Sequence, residues 1–383
     1  MSISERAAAQ QTPLEAVAAL LHKSGIDPEN IDKVEKIRLS EYQSVVKGED
    51  GEPTVVDLKA ASILLSPTWD AGPKWPLVQP AAPVRVQFRG RVQKVKQIDG
   101  MKRAVILPDS QFGFRRLHDG DLEPFHDEEA QAVAVAILRA AQPDVVVDVG
   151  DFLDLPEMGK YRQEPGFAQT TQAAIDAGYA VLAARREAAP DAEFFMLAGN
   201  HDQRLQNYLI DNARAAFGLR KAYADPGSWP DLSLPALLHF DSLGIQFVPG
   251  WPAGIVWLSP SLAVIHGQKL KVSQVVDDER VSVIQGHVHR ISSQFKTRRT
   301  FSGPRTTFAA TPGCLCRVDG AVPGMKGGYD ERTLGAVVPG NEDWQQGLMI
   351  VTYAEDGGPV WAEQVTIYEG RAVWRDRVYT AND

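Results

Sequence analysis

The chain has 383 residues, of which 44% are hydrophobic and 23% charged; that is a globular balance, with room for two or three domains at roughly 150 residues each. Its 40 Lys and Arg against 49 Asp and Glu leave a net charge of −9, which argues against whole-surface attraction to polyanions and leaves room only for a local basic patch. No apolar run approaches the roughly 18 residues of a membrane span, the start MSISERAAAQQ lacks a basic flank before an apolar stretch, and Cys314 and Cys316 sit too close together to staple a fold, so a cytoplasmic chain is expected.

Taken in order, Thr12 and Glu15 have the spacing of a capping box, Pro13 takes the first helical position and Gly25 supplies a stop, which predicts an amphipathic helix over residues 12–24. Two β-branched stretches, 34–46 and 54–65, flank Lys47-Gly48-Glu49-Asp50-Gly51 and predict a hairpin. Helix and hairpin make a small α+β accessory domain over residues 1–65. Prolines and tryptophans from residue 66 to 83 read as an extended connector. It runs into a basic stretch, Arg85 to Arg103, in which Asp99 is the single acid; connector and stretch are assigned to 66–101. The stretch is expected to be a solvated strand pair, with a nucleic-acid track as the functional reading.

From residue 102 to 383 the pattern becomes strand, loop, helix, repeated: strands at 104–107, 144–149 and 193–197, helices at 127–141 and 170–189. Later strands are expected at 245–248, 255–258, 262–265, 281–284, 348–353 and 365–368. That alternation predicts an α/β layered core. Each of five apolar runs leads directly into polar donors. Leu107 precedes Asp109 and Gln111, and Val149 precedes Asp151 and Asp154. Leu197 precedes Asn200, His201 and Asp202, Ile265 precedes His266, and Ile284 precedes His287 and His289. Turns at the carboxyl ends of neighbouring strands gather on one rim. Mixed oxygen and nitrogen donors there suit Mn²⁺, Fe or Zn²⁺ rather than Ca²⁺. Two such ions would acidify a bridging water and clamp the charge that develops when a phosphate ester is hydrolysed.

In these blocks the sequence resembles the calcineurin-like metallophosphoesterases, whose signature D-x-H, G-D-x-x-D, G-N-H-D/E, H-G and G-H-x-H runs in order from Asp109 to His289 with Gln111 in place of the first histidine. Flanking phrases such as LPDSQFGFRR and GNHDQRL are similar to metallophosphoesterases of actinobacterial phages, which would place the chain in a host cytoplasm. The resemblance implies a four-layer α/β/β/α sandwich. It also implies that Asp151 bridges two metals, that Asp109, Gln111 and His289 complete one site, and that Asn200, His266 and His287 complete the other. His201 would be the general acid, with Asp202 orienting its ring. An amide is a weaker donor than imidazole, so Gln111 favours Mn²⁺ over Zn²⁺ and a labile site.

Arg290, Arg204, Arg115 and His126 are the candidate substrate-binding residues; His22 and His239 read as ordinary surface side chains, and His118 is at least as readily one. Asp148 has the wrong alternation to join the rim and is expected to be structural. The expected function is a phosphodiesterase or nuclease acting on a phosphate-ester substrate, nucleic acid among the candidates. The alternatives are a phosphomonoesterase on a nucleotide or phosphoprotein and, third, a non-catalytic scaffold. No membrane partner is expected, and no stripe identifies an oligomer interface.

Overall fold

A computed structural model describes residues 22, 34–47, 53–65, 100–160, 164–301, 303–320, 322–323, 328–329, 331–332, 336–337 and 343–383. Apart from His22, the expected N-terminal helix lies outside the described residues, as do the connector and positions 85–99 of the basic stretch. The chain divides into two compact units, Met1–Pro80 and Ala81–Asp383. In the first, β1 (Val34–Lys47) pairs antiparallel with β2 (Pro53–Leu65) as the hairpin expected there.

Among the described residues, the second unit runs through β3 (Met101–Leu107), β4 (Phe114–Arg116), β5 (Leu122–Pro124), α1 (Glu128–Ala141), β6 (Val145–Asp148), α2 (Thr171–Ala188), β7 (Glu193–Leu197) and α3 (Gln203–Asn212). Short helices α4 (Leu234–Leu237) and α5 (Phe240–Leu243) lead to β8 (Ile245–Val248), β9 (Ile255–Ser259), β10 (Leu262–Ile265), α6 (Val272–Asp278) and β11 (Ser282–Gln285). Then come β12 (Ile291–Thr300), β13 (Gly303–Pro312), β14 (Gly328–Tyr329), β15 (Ala336–Val337), β16 (Gln346–Ala354), β17 (Val360–Tyr368), β18 (Arg371–Trp374) and β19 (Arg377–Thr380). The pairs β12–β13 and β18–β19 were not expected from the sequence.

Two sheets carry the unit. One is eight-stranded in the order β19-β18-β17-β16-β3-β6-β7-β8, parallel from β3 to β8; the other is five-stranded in the order β12-β13-β11-β10-β9. Period-two alternation sends successive side chains to opposite faces and so builds three apolar layers. Ala104, Ile106, Val145 and Val147 face Leu262, Val264, Ile284 and Phe308 between the sheets. Val105, Leu107 and Val146 point the other way, onto Val133, Ile137 and Leu138 of α1 and Leu182 of α2. On the far side, Ala263, Val283 and Ala309 receive Val272, Val275 and Val276 of α6. The result is the α/β/β/α order implied by the resemblance.

Asp148 shares the parity of Val146 and points into the helix layer, where it is fully buried with Arg185 of α2. Arg185 also donates to Ser110 Oγ at 2.9 Å and Gln131 Oε1 at 2.6 Å. Burial pushes the Asp148 carboxyl up to about 7 against the pull of Arg185. Removing one partner of such a pair leaves an uncompensated buried charge, so Arg185→Ala should cost about 3–5 kcal/mol of stability in urea unfolding. The double variant Asp148→Asn/Arg185→Met should recover most of that loss; a single-variant cost below about 1 kcal/mol would mean that the pair does not hold α2 to the sheet.

Candidate metal centre

In-register pairing aligns the strand ends: Leu107 sits opposite Asp148, Asp148 opposite Met196, and Ile265 opposite Gln285. The five donor turns therefore come to one rim. Asp151, His266 and His287 place one ligand atom each within 4.8 Å of one another, and so do Asp109, Asp151 and His289. Asp151 belongs to both groups. Asn200 Oδ1 lies 3.1 Å from His266 Nε2 and 2.9 Å from His287 Nδ1, which adds it to the first group. The Gln111 amide lies 3.4 Å from His289 Nε2, which adds it to the second.

The backbone is bent to make these approaches. Gln111, Asp151, His287 and His289 all adopt left-handed φ, between 47° and 74°, a conformation that costs energy in non-glycine residues and persists where the surroundings hold it. A Cβ on Gly199 would lie 2.1 Å from Asp151 Oδ1, and one on Gly286 2.7 Å from Asp109 Oδ2, so these two positions must be glycine for the carboxylates to sit where they do. The His201 N–H donates to Asp151 Oδ1 at 2.8 Å, and the His287 N–H donates to Asp109 Oδ1 at 2.9 Å.

The arrangement fits divalent ions on its own chemistry. His266 Nδ1–H donates to Val149 O at 2.9 Å, which leaves the Nε2 lone pair of the neutral ring facing two acceptors, Asn200 Oδ1 and Asp151 Oδ2 at 3.4 Å. Three acceptors converging require a proton or a cation between them. Burial would lower the His266 pKa, but Asp151 overrides it and raises the ring to about 9. Burial likewise pushes Asp151 up, and His266 and His201 more than reverse that. Gln111 Oε1 is buried without a hydrogen-bond partner, an orphan that a metal would satisfy.

His201 Nδ1 lies 2.5 Å from Asp154 Oδ1, and its Nε2 lies 3.9 Å from Asp151 Oδ2 and 3.2 Å from Arg204 Nη2. Burial opposes the charged ring, but Asp151 and Asp154 together raise its pKa. The expected partner, Asp202, does not touch the ring. Its carboxylate instead accepts the N–H groups of Phe152 and Leu153, both at 3.1 Å, and of Gly199 at 2.9 Å, and so ties two ligand loops together. Burial raises Asp202 to about 6.

Of the four substrate-binding candidates, Arg204 is at the centre, while Arg290 adjoins His289 in the chain and contacts the Leu270 carbonyl at 3.4 Å and Asp343 at 3.9 Å. The Arg290 side chain is 40% exposed and lines an open groove of 440 Å³ with Lys271, Val288 and Gln294. Arg115 is a correction: it is buried, paired with Glu123 at 3.2 Å and Glu164 at 3.5 Å, and lies over the rings of Phe125 and Phe167. His126 is another. It is buried against Phe112 and Phe114, and burial lowers its pKa to about 4. His118 is exposed, as is His239, which edges onto Tyr179.

Three contacts have no sequence signal. Trp344 stands edge-on to His289 with ring centroids 4.0 Å apart, Gln345 N–H donates to the His289 carbonyl at 2.9 Å, and Cys316 Sγ lies 3.7 Å from His289 Nδ1. Together they orient the ring so that Nε2 faces Asp109 Oδ1 at 3.3 Å. His289, Cys314 and Cys316 also form a donor group within 4.8 Å. Burial and the Cys314 hydrogen bond push the Cys316 thiol well up, which keeps it protonated and a poor ligand.

No family model matches the chain. It is 27% identical over 201 residues to the gene 54 protein of Mycobacterium phage D29, covering 49% of this chain and 69% of that protein. To the gene 54 protein of Mycobacterium phage L5 it is 24% identical over 290 residues, covering 73% and 98%. Among solved structures, a purple acid phosphatase from yellow lupin (Lupinus luteus) seeds aligns with a TM-score of 0.35 and 12% identity, over 88% of this chain and 58% of that one. In its layered fold and its five gathered motifs the chain resembles the calcineurin-like metallophosphoesterases, and in sequence it is similar to gene 54 proteins of mycobacteriophages.

Proposed function

We propose that the chain is a metal-dependent phosphoesterase that prefers phosphodiesters. Asp109, Gln111, Asp151 and His289 would hold one divalent ion, and Asp151, Asn200, His266 and His287 the other. The observation that carries this reading is Asp151, whose buried carboxylate is common to both donor groups. When bound, the ions supply an acidified water and a clamp for charge developing on phosphorus. The amide oxygen of Gln111 makes Mn²⁺ the favoured metal.

The chain's own groups do the rest. Asp154 occupies Nδ1 of His201, so Nε2 is the ring atom that passes a proton to the departing oxygen. Arg204 and Arg290 offer forked donors to the non-bridging phosphate oxygens. The cations that follow His289 in the chain, Arg290, Lys296, Arg298 and Arg299 with no acid among them, support the diester preference, because a nucleic-acid strand is a phosphodiester polymer.

Turnover of bis-p-nitrophenyl phosphate against p-nitrophenyl phosphate, by metal-stripped protein given Mn²⁺, tests this. Faster Mn²⁺-dependent cleavage of the diester is expected. Preference for the monoester would make the chain a phosphatase, and no turnover of either ester with any divalent metal would overturn the catalytic reading.

A further inference from the structure

The strands β12 and β13 form a basic, aromatic arm that leaves the metal centre two residues after His289. The ladder runs unbroken from Ile291 opposite Pro312 to Thr300 opposite Gly303, yet β13 meets β11 only at Ala309 and Ala310. Its outer part, from Lys296 opposite Thr307 to the tip, is therefore two-stranded. At about 3.3 Å per residue, β12 reaches roughly 30 Å from its root.

Between Arg290 and Pro312 the chain carries five cations, Arg290, Lys296, Arg298, Arg299 and Arg305, and no acid, within a protein of net charge −9. Arg298 stands directly opposite Arg305, a like-charge pairing that costs stability. Lys296 is neutralised by Asp277, and Arg298 caps the Val276 and Asp277 carbonyls. Arg299 and Arg305 are exposed and have no acidic partner among the described residues. Phe295 is 67% exposed on the strand, and Phe301 at the tip is 109% exposed.

Exposed arginines interleaved with exposed aromatic rings match the two needs of a single nucleic-acid strand, phosphate charge and base stacking. The root residues Ser292 and Gln294 line the groove that also holds Arg290 and Lys271; alternation puts them on the face that carries Arg298 and, across the ladder, Arg305, while Phe295 and Arg299 lie on the other face. We propose that this arm binds single-stranded nucleic acid across its two exposed faces and its Phe301 tip. Cleavage of a bound strand rests on the phosphodiesterase reading; the binding itself does not. A second copy pairing edge to edge along β12 would set Lys296, Arg298 and Arg299 against their own charges, which disfavours that occupant.

The test is fluorescence anisotropy of a labelled oligothymidylate with the EDTA-stripped full chain, run beside Mn²⁺-dependent turnover of bis-p-nitrophenyl phosphate. Wild type should bind with an affinity that falls with salt. Arg299→Gln/Arg305→Gln should weaken binding about tenfold and reduce the log–log salt slope by about 1.4, two contacts at about 0.7 each. Phe301→Ala should weaken it at least about fivefold with the slope unchanged, as loss of one stacked base requires. All these variants should turn over the small ester normally.

Salt-insensitive or absent binding by wild type, or equal binding by the variants, would overturn the inference. So would a dimer that Phe301→Ala dissociates without any effect on DNA. Intact oligothymidylate binding with no small-ester turnover would instead remove the catalytic reading and leave the arm as a binding surface.

Discussion

Asp151→Asn should lose both metal ions at once and take turnover to background, whereas His287→Ala should lose one ion and retain the other. The difference follows from the ligand groups: Asp151 is in both, and His287 is only in the one it forms with His266. An Asn side chain keeps the shape and can still accept the His201 N–H now bound by Asp151 Oδ1 at 2.8 Å, so the loop should hold its course. What disappears is the negative charge that the proposed pair of ions would share, and a neutral amide would bridge them poorly. Metal content by mass spectrometry after dialysis, with circular dichroism to verify folding, gives the readout independently of activity. A folded Asp151→Asn protein that keeps both ions would show that the two donor groups are not joined through this carboxylate.

The donor turns were legible because each puts polar donors straight after a short apolar run, four of the five with a glycine beside them, and β-strand periodicity then fixes which end of the sheet they reach. Strands at Glu193–Leu197, Ile245–Val248 and Leu262–Ile265 have the bounds the sequence predicts. The arm was not legible. From Ser292 to Thr300 its apolar side chains are few, and the segment ISSQFKTRRT lacks the alternation by which a half-buried strand is recognised, since the face that packs on α6 does so through Lys296 and Arg298 rather than through apolar side chains.

The errors at the site share a cause, which is that nearness in sequence stood in for nearness in space. Asp202 adjoins His201 in the chain, but it turns inward to hold loop N–H groups, and the ring's partner is Asp154, 47 residues earlier. Arg115 and His126 follow the first donor block closely. The β4–β5 hairpin nevertheless carries Arg115 into a buried cage of Glu123, Glu164 and two phenyl rings, while His126 packs onto Phe112. Trp344 and Cys316 could not be connected to His289 by any spacing rule, because their contacts are made by the return of distant chain.

His201→Gln should separate metal binding from proton transfer. The ring reaches neither donor group through a ligand contact of its own: Nδ1 is taken by Asp154 Oδ1, and Nε2 lies 3.9 Å from Asp151 Oδ2. Metal content should therefore stay at the wild-type value. Loss of a positioned acid costs about 10²–10⁴ in rate where the departing oxygen must be protonated. An alkyl diester should suffer that loss, while bis-p-nitrophenyl phosphate, whose phenolate leaves without help, should lose far less. Asp154→Asn should move the same way by a smaller factor, since it removes the anion that fixes the ring without removing the ring. The comparison of leaving groups discriminates the roles. If His201→Gln slows both esters equally, the ring stabilises charge or positions substrate and the proton comes from elsewhere; if it also releases metal, the Asp151 loop depends on the His201 side chain as well as on its N–H.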